Sequence, residues 1–226
     1  MMQNLPWLRW VFLGLFALAS VFHLIDSWRD LTKRRRITKP MLLIFLLCYY
    51  LCSTPTPQSL LIAALLTSWL GDVLLMPKGN VWFISGGISF LASHILFILV
   101  YVPQVNFTAV PWAVVIPAAV VYCGVSFAIM YAVRKTTPKP MIVPMFLYLA
   151  ANSTMNLFAL MQLLTLQSTG AIVAYAGAVL FFVSDCTLFL LRYHPNKSLI
   201  FKKHFTIMLT YLAGEFLITQ GMLLLG

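Results

Sequence analysis

Two aspartates stand in the chain where hydrocarbon would be expected. Asp72 lies in Ser68-Trp69-Leu70-Gly71-Asp72-Val73-Leu74-Leu75, and Asp185 in Phe181-Phe182-Val183-Ser184-Asp185-Cys186-Thr187-Leu188. A carboxylate inside an apolar helix costs ~2.5 to 3.5 kcal/mol on insertion scales, so its presence is a functional signal that calls for a partner. Of the five acidic residues, Asp26 and Asp30 belong to a charged connecting segment, which leaves Asp72, Asp185 and Glu215 within apolar runs. Two carboxyl groups sharing a low-dielectric cavity do not ionise equally, so one serves as an acid while the other remains a base. Such a pair suits hydrolysis of an acid-labile ether or acetal-like bond. Protonation makes an oxocarbenium ion, and a carboxylate-activated water attacks it. No serine elbow, metal-ligand cluster or phosphate loop competes for the role, and neither metal nor cofactor is expected.

Other polar residues are candidates to support the pair. His94 and Glu215 lie on the apolar runs that follow the two aspartates. Tyr148, Asn152 and Asn156 recur every four residues and therefore share one face of a helix, either as glue between helices or as the lining of a cavity. Trp69 and Ser184 neighbour the aspartates, and Lys39, Lys78 and Arg192 are placed to hold the phosphate of a lipid entering from the leaflet. The plainer alternatives are a neutral acid hydrogen-bonded between helices and a packing histidine at position 94.

The elements that must position these residues follow from composition. With 62% hydrophobic residues, 9% charged and a mean hydropathy of +0.93 over 226 residues, the apolar surface exceeds what a soluble core can hide. The expectation is a single all-α transmembrane domain over 1–226, a polytopic bundle of eight helices. Apolar runs occur at about 7–25, 40–53, 58–76, 82–102, 109–133, 140–164, 170–191 and 204–225. The second run is short for a span and stops at Ser53-Thr54-Pro55-Thr56-Pro57, so a tilted or re-entrant segment is a reading there. Ala17-Leu18-Ala19 fits a signal-peptide cleavage pattern, but the run continues to Ile25 and is expected to remain as the first span.

Every lysine and arginine except Arg9 falls between runs 1 and 2, 3 and 4, 5 and 6, or 7 and 8. The positive-inside rule then puts those four loops in the cytoplasm and both termini outside. The net charge of +10 is thereby a topology signal, with the bilayer and not nucleic acid as partner. Asp72 precedes Lys78 by six residues and Asp185 precedes Arg192 by seven, which sets both roughly 9 to 11 Å inside the cytoplasmic boundary. Trp7, Trp10, Trp28, Trp82 and Trp112 fall at expected interfaces. Cys48, Cys52, Cys123 and Cys186 read as small membrane hydrophobes. Asn106-Phe107-Thr108 is a sequon that matters only in a eukaryotic secretory membrane, so the host is a bacterial cell membrane or the endoplasmic reticulum.

The halves also align. Lys39-Pro40-Met41 matches Lys139-Pro140-Met141 at the openings of runs 2 and 6, Gly71-Asp72 matches Ser184-Asp185, and Phe90 to Leu96 matches Tyr211 to Leu217, which pairs His94 with Glu215. With four spans in each half, such repeats would be parallel, and Asp72 and Asp185 would share one site.

The Lys39-Pro40 pair, Trp69-Leu70-Gly71-Asp72, His94 and Tyr101, Tyr148 with Met155, and Gly177-Ala178 followed by Phe182, Ser184 and Asp185 resemble the YhhN-like lysoplasmalogenase family over essentially the whole chain. The resemblance implies hydrolysis of the vinyl ether bond of lysoplasmalogens, a lysophospholipid substrate, to a fatty aldehyde and glycerophosphoethanolamine or glycerophosphocholine. It also implies Asp72 and Asp185 as acid and base, with no cofactor. The alternative from another class is a small proton-coupled transporter with the two aspartates as proton relay. An intramembrane aspartyl protease fits less well, because Trp69 stands where its Gly-x-Gly-Asp signature needs glycine.

Overall fold

The computed structural model describes residues 7–226. They form eight α-helices: α1 (Leu8–Trp28), α2 (Thr32–Ser53), α3 (Ser59–Leu74), α4 (Asn80–Tyr101), α5 (Trp112–Val133), α6 (Lys139–Leu166), α7 (Thr169–Tyr193) and α8 (His204–Leu225). Among the described residues there is no strand. Seven of the helices are long and apolar enough to cross a membrane, and α3, with 16 residues, is the shorter one. The surface left outside is apolar as well: Leu18, Val21 and Phe22 of α1 and Val120, Val121 and Phe127 of α5 are exposed. Such faces are stable only against hydrocarbon, and a helix satisfies its backbone polar groups internally there. The chain is an integral membrane protein.

Two expectations change. The second helix does not open at Pro40; α2 starts at Thr32, runs through Pro40 and carries the basic stretch in its first turns. The charged segment between the first two runs is therefore mostly helical, and α1 itself extends to Trp28 with Asp26 buried on it. Charge ends an apolar run but not a helix, since Lys and Arg are good helix formers, and Pro is tolerated inside spanning helices. As a result the short element is α3, not α2. Pro140, by contrast, occupies the first turn of α6, so the two Lys-Pro pairs are not at equivalent helical positions.

The chain divides into two compact units, α1 to α4 as far as Val100 together with Gly226, and Tyr101 to Leu225. In the first, α1 packs on α2 and α2 on α3. Serines join α3 to α4: Ser68 and Ser93 hydroxyls are 2.6 Å apart, Ser93 donates to the Ala64 carbonyl at 3.1 Å, and Ser89 donates to the Thr67 carbonyl at 2.7 Å. Small residues and short hydroxyls let helix backbones approach where no hydrophobic effect drives them together. Arg36 of α2 donates to the Met76 carbonyl at 3.2 Å, which brings the basic start of α2 to the end of α3.

In the second unit α7 and α8 make the closest contact. A Cβ at Gly177 would lie 2.6 Å from the Ile218 nitrogen and 2.7 Å from the Gly214 oxygen, both backbone atoms that cannot yield. One at Gly221 would lie 2.5 Å from the Ala174 nitrogen. Gly124 has open space around it. Gly177→Ala is accordingly expected to destabilise the fold by about 1 to 3 kcal/mol through overpacking, while Gly124→Ala leaves the melting temperature in detergent unchanged or raises it. Equal melting of the two variants would refute this packing account. The connection from α6 to α7 is two residues long: Gln167 turns the chain with φ of 48°, and Ser168 caps α7 by accepting from the Ala171 N–H. So short a link makes α6 and α7 antiparallel neighbours, and it is between them that the polar stripe lies.

Candidate functional site

Asp72 sits within the last turn of α3 and is 2% exposed. Its Oδ1 is 3.1 Å from Nζ of Lys39 on α2. Trp69, one turn earlier on the same face of α3, donates its indole N–H to the Pro40 carbonyl at 2.8 Å. Trp69 therefore clamps α3 to α2 beside Lys39 and fixes the height at which lysine and aspartate meet. A buried charge is tolerable only when paired and hydrogen-bonded. Lys39, expected to hold a lipid phosphate, has its ammonium directed at Asp72. The ring of Phe90 closes over this part of α3 because Gly71 has no Cβ, which would lie 2.6 Å from the ring.

Asp185 is built differently. It lies on α7, two turns before that helix ends, and is 4% exposed. Its Oδ2 accepts from the Tyr148 hydroxyl at 2.9 Å and from Asn152 Nδ2 at 2.7 Å, both on α6. Asn156 Nδ2 in turn donates to the Asn152 backbone carbonyl and to Asn152 Oδ1, each at 3.0 Å. The stripe of three residues thus turns toward α7 and is bonded along its length. Phe189 stacks edge-on to the Tyr148 ring, with centroids 5.3 Å apart, and so limits the movement of its hydroxyl. Neutral donors hold Asp185, whereas a cation holds Asp72.

The remaining candidates occupy several settings. Ser184 donates to the Ile207 carbonyl at 3.1 Å and joins α7 to α8. His94 on α4 and Glu215 on α8 have no exposed surface, in the first and the second unit respectively. Lys78, in the connection between α3 and α4, and Arg192, in the last turn of α7, are exposed, as a surface phosphate contact requires. Two residues escaped the sequence reading. Tyr122 of α5 bonds the Asn156 Oδ1 at 3.3 Å and meets the Tyr175 hydroxyl of α7 at 3.1 Å. The available signal was a tyrosine near the middle of an apolar run, whose hydroxyl must find a partner there.

The sequence matches the YhhN family over residues 34–222, a stretch that holds Lys39, Asp72, Asn152, Asp185 and Glu215. No curated protein and no solved structure matches significantly. Because the family match spans most of the chain and both carboxylate settings, this helical membrane protein belongs to the YhhN family.

Proposed function

We propose that the protein is a lysoplasmalogenase-type hydrolase that cleaves the vinyl ether bond of a 1-alkenyl lysophospholipid, with Asp72 and Asp185 as its acid and base. The observation that carries this reading is the pair of buried aspartates on α3 and α7, each with its own polar partners, in a chain of the YhhN family. In the reaction one carboxyl group gives its proton to the carbon of the double bond remote from the oxygen, leaving an oxocarbenium ion. The second carboxylate takes a proton from water as the water oxygen bonds to the cationic carbon. The resulting hemiacetal breaks its bond to the glycerol oxygen, which is protonated, and the alkenyl chain leaves as an aldehyde. Water is the one co-reactant, so no cofactor is called for. Lys78 and Arg192 are the proposed contacts for the lipid phosphate, and His94 and Glu215 the proposed buried support. The lipid reaches the site from the bilayer, that of a bacterial cell membrane or of the endoplasmic reticulum.

Purified protein in detergent, without any ion gradient, is expected to release aldehyde from 1-alkenyl lysophosphoethanolamine and not from the 1-alkyl analogue, which lacks the double bond to protonate. Absence of release, with proton-coupled flux appearing in sealed vesicles, would replace this reading by transport.

A further inference from the structure

We propose that Tyr122 and Tyr175 are positioning residues for Asp185, acting through a one-way chain of hydrogen bonds. The inference rests on the hydrolase reading for its effect on turnover, though not for its geometry. The direction of the chain follows from one backbone group. Asn156 lies 3.0 Å from the Asn152 carbonyl, which can only accept, so Asn156 must present its NH2 on that side. The same NH2 faces the Asn152 side chain at 3.0 Å, which must therefore offer oxygen and turn its own NH2 to Asp185. Asn156 is then left with its oxygen toward Tyr122, so the Tyr122 hydroxyl donates to it. That hydroxyl has one proton, and the bond from Tyr175 must be donated by Tyr175. Every link points toward Asp185 Oδ2.

Aligned donors in a low-dielectric interior polarise one another, so the terminal bond is stronger than an isolated amide contact. Asn152 and Asn156 have no exposed surface and Tyr122 is 8% exposed, so water does not short-circuit those links, while Tyr175 at the far end is half-buried. Tyr122 is also held in place by the Phe182 ring, edge-on at 5.1 Å. Tyr175 and Asp185 are ten residues apart on α7, and the chain therefore runs about 15 Å along the helix. It holds Oδ2 of Asp185 toward α6 and hence sets how the carboxyl group is turned.

The test is Tyr122→Phe, which removes the link and keeps the ring. Infrared difference spectra, with the Asp185 band identified by its loss in Asp185→Asn, are expected to show that band displaced in Tyr122→Phe and less so in Tyr175→Phe. Turnover of the 1-alkenyl lipid is expected to fall about tenfold in kcat with KM unchanged, a split that general loosening of the fold would not produce. An Asp185 band left in place by Tyr122→Phe overturns the inference whatever the substrate. A displaced band in a protein that releases no aldehyde supports the chain and removes the hydrolase reading. Should Tyr122→Phe fold poorly, Asn156→Leu interrupts the same chain one link nearer the aspartate and must displace the band further.

Discussion

Asp185→Asn is expected to lower aldehyde release by about three orders of magnitude or more, the scale on which positioned acid and base groups act, without disturbing the fold. Asparagine is nearly isosteric and presents an oxygen to the same two donors, so Tyr148 and Asn152 keep their partner. What it lacks is a group able to take up and release a proton. Asp72→Asn should be equally inactive. In the double variant the losses should not add, because residues that serve one reaction coordinate fail together. Kinetics of the two single variants and the double variant measure this directly. Retention of a tenth of wild-type turnover by either single variant would remove that residue from the chemistry, and strictly additive losses would argue against a joint role.

The second large effect concerns stability. Lys39→Met leaves the Asp72 carboxylate in an apolar setting without its cation, and removing one partner of a buried pair typically costs about 3 kcal/mol or more. The lysine is 17% exposed by side chain and the aspartate 3%, so the aspartate is the more deeply buried partner and loses its cation. Detergent-solubilised Lys39→Met should therefore melt well below wild type. Combining it with Asp72→Asn removes both charges, and the melting temperature should recover most of the loss while turnover stays absent. A double-mutant cycle on melting isolates the pair from the two separate substitutions. If the double variant melts no higher than Lys39→Met, the ion pair is not what holds α2 to α3. The Trp69 clamp on the Pro40 carbonyl would then be the dominant tie, and Trp69→Phe would test it.

The two aspartates are accommodated in apolar helices by different local means. Asp72 depends on a cation brought in by a helix that passes through proline, and Asp185 on neutral amide and phenol donors stacked along one helix face. Both are stabilised by contacts with a neighbouring helix, so neither environment could be assembled by its own helix alone. The family match covers both but says nothing of which partners hold them.

Much of this protein was legible in the residues. Composition and run length sufficed for a helical membrane protein, because in hydrocarbon a helix is the form that satisfies its own backbone. The isolated acids were legible because burial of a carboxylate is costly enough to leave few harmless explanations. The Tyr148, Asn152 and Asn156 stripe was legible because helical periodicity alone puts such residues on one face. Helix ends were not: the basic segment reads as a loop by hydropathy, yet it is helical through Pro40, since the edge of an apolar run marks where water begins and not where hydrogen bonding stops. Nor were the partners. That Lys39 meets Asp72, that the stripe faces α7, and that Tyr122 joins Tyr175 depend on the rotation of each helix about its axis. That rotation is decided by which backbones can approach, as at Gly177 and Gly214, and no single helix carries that information in its own sequence.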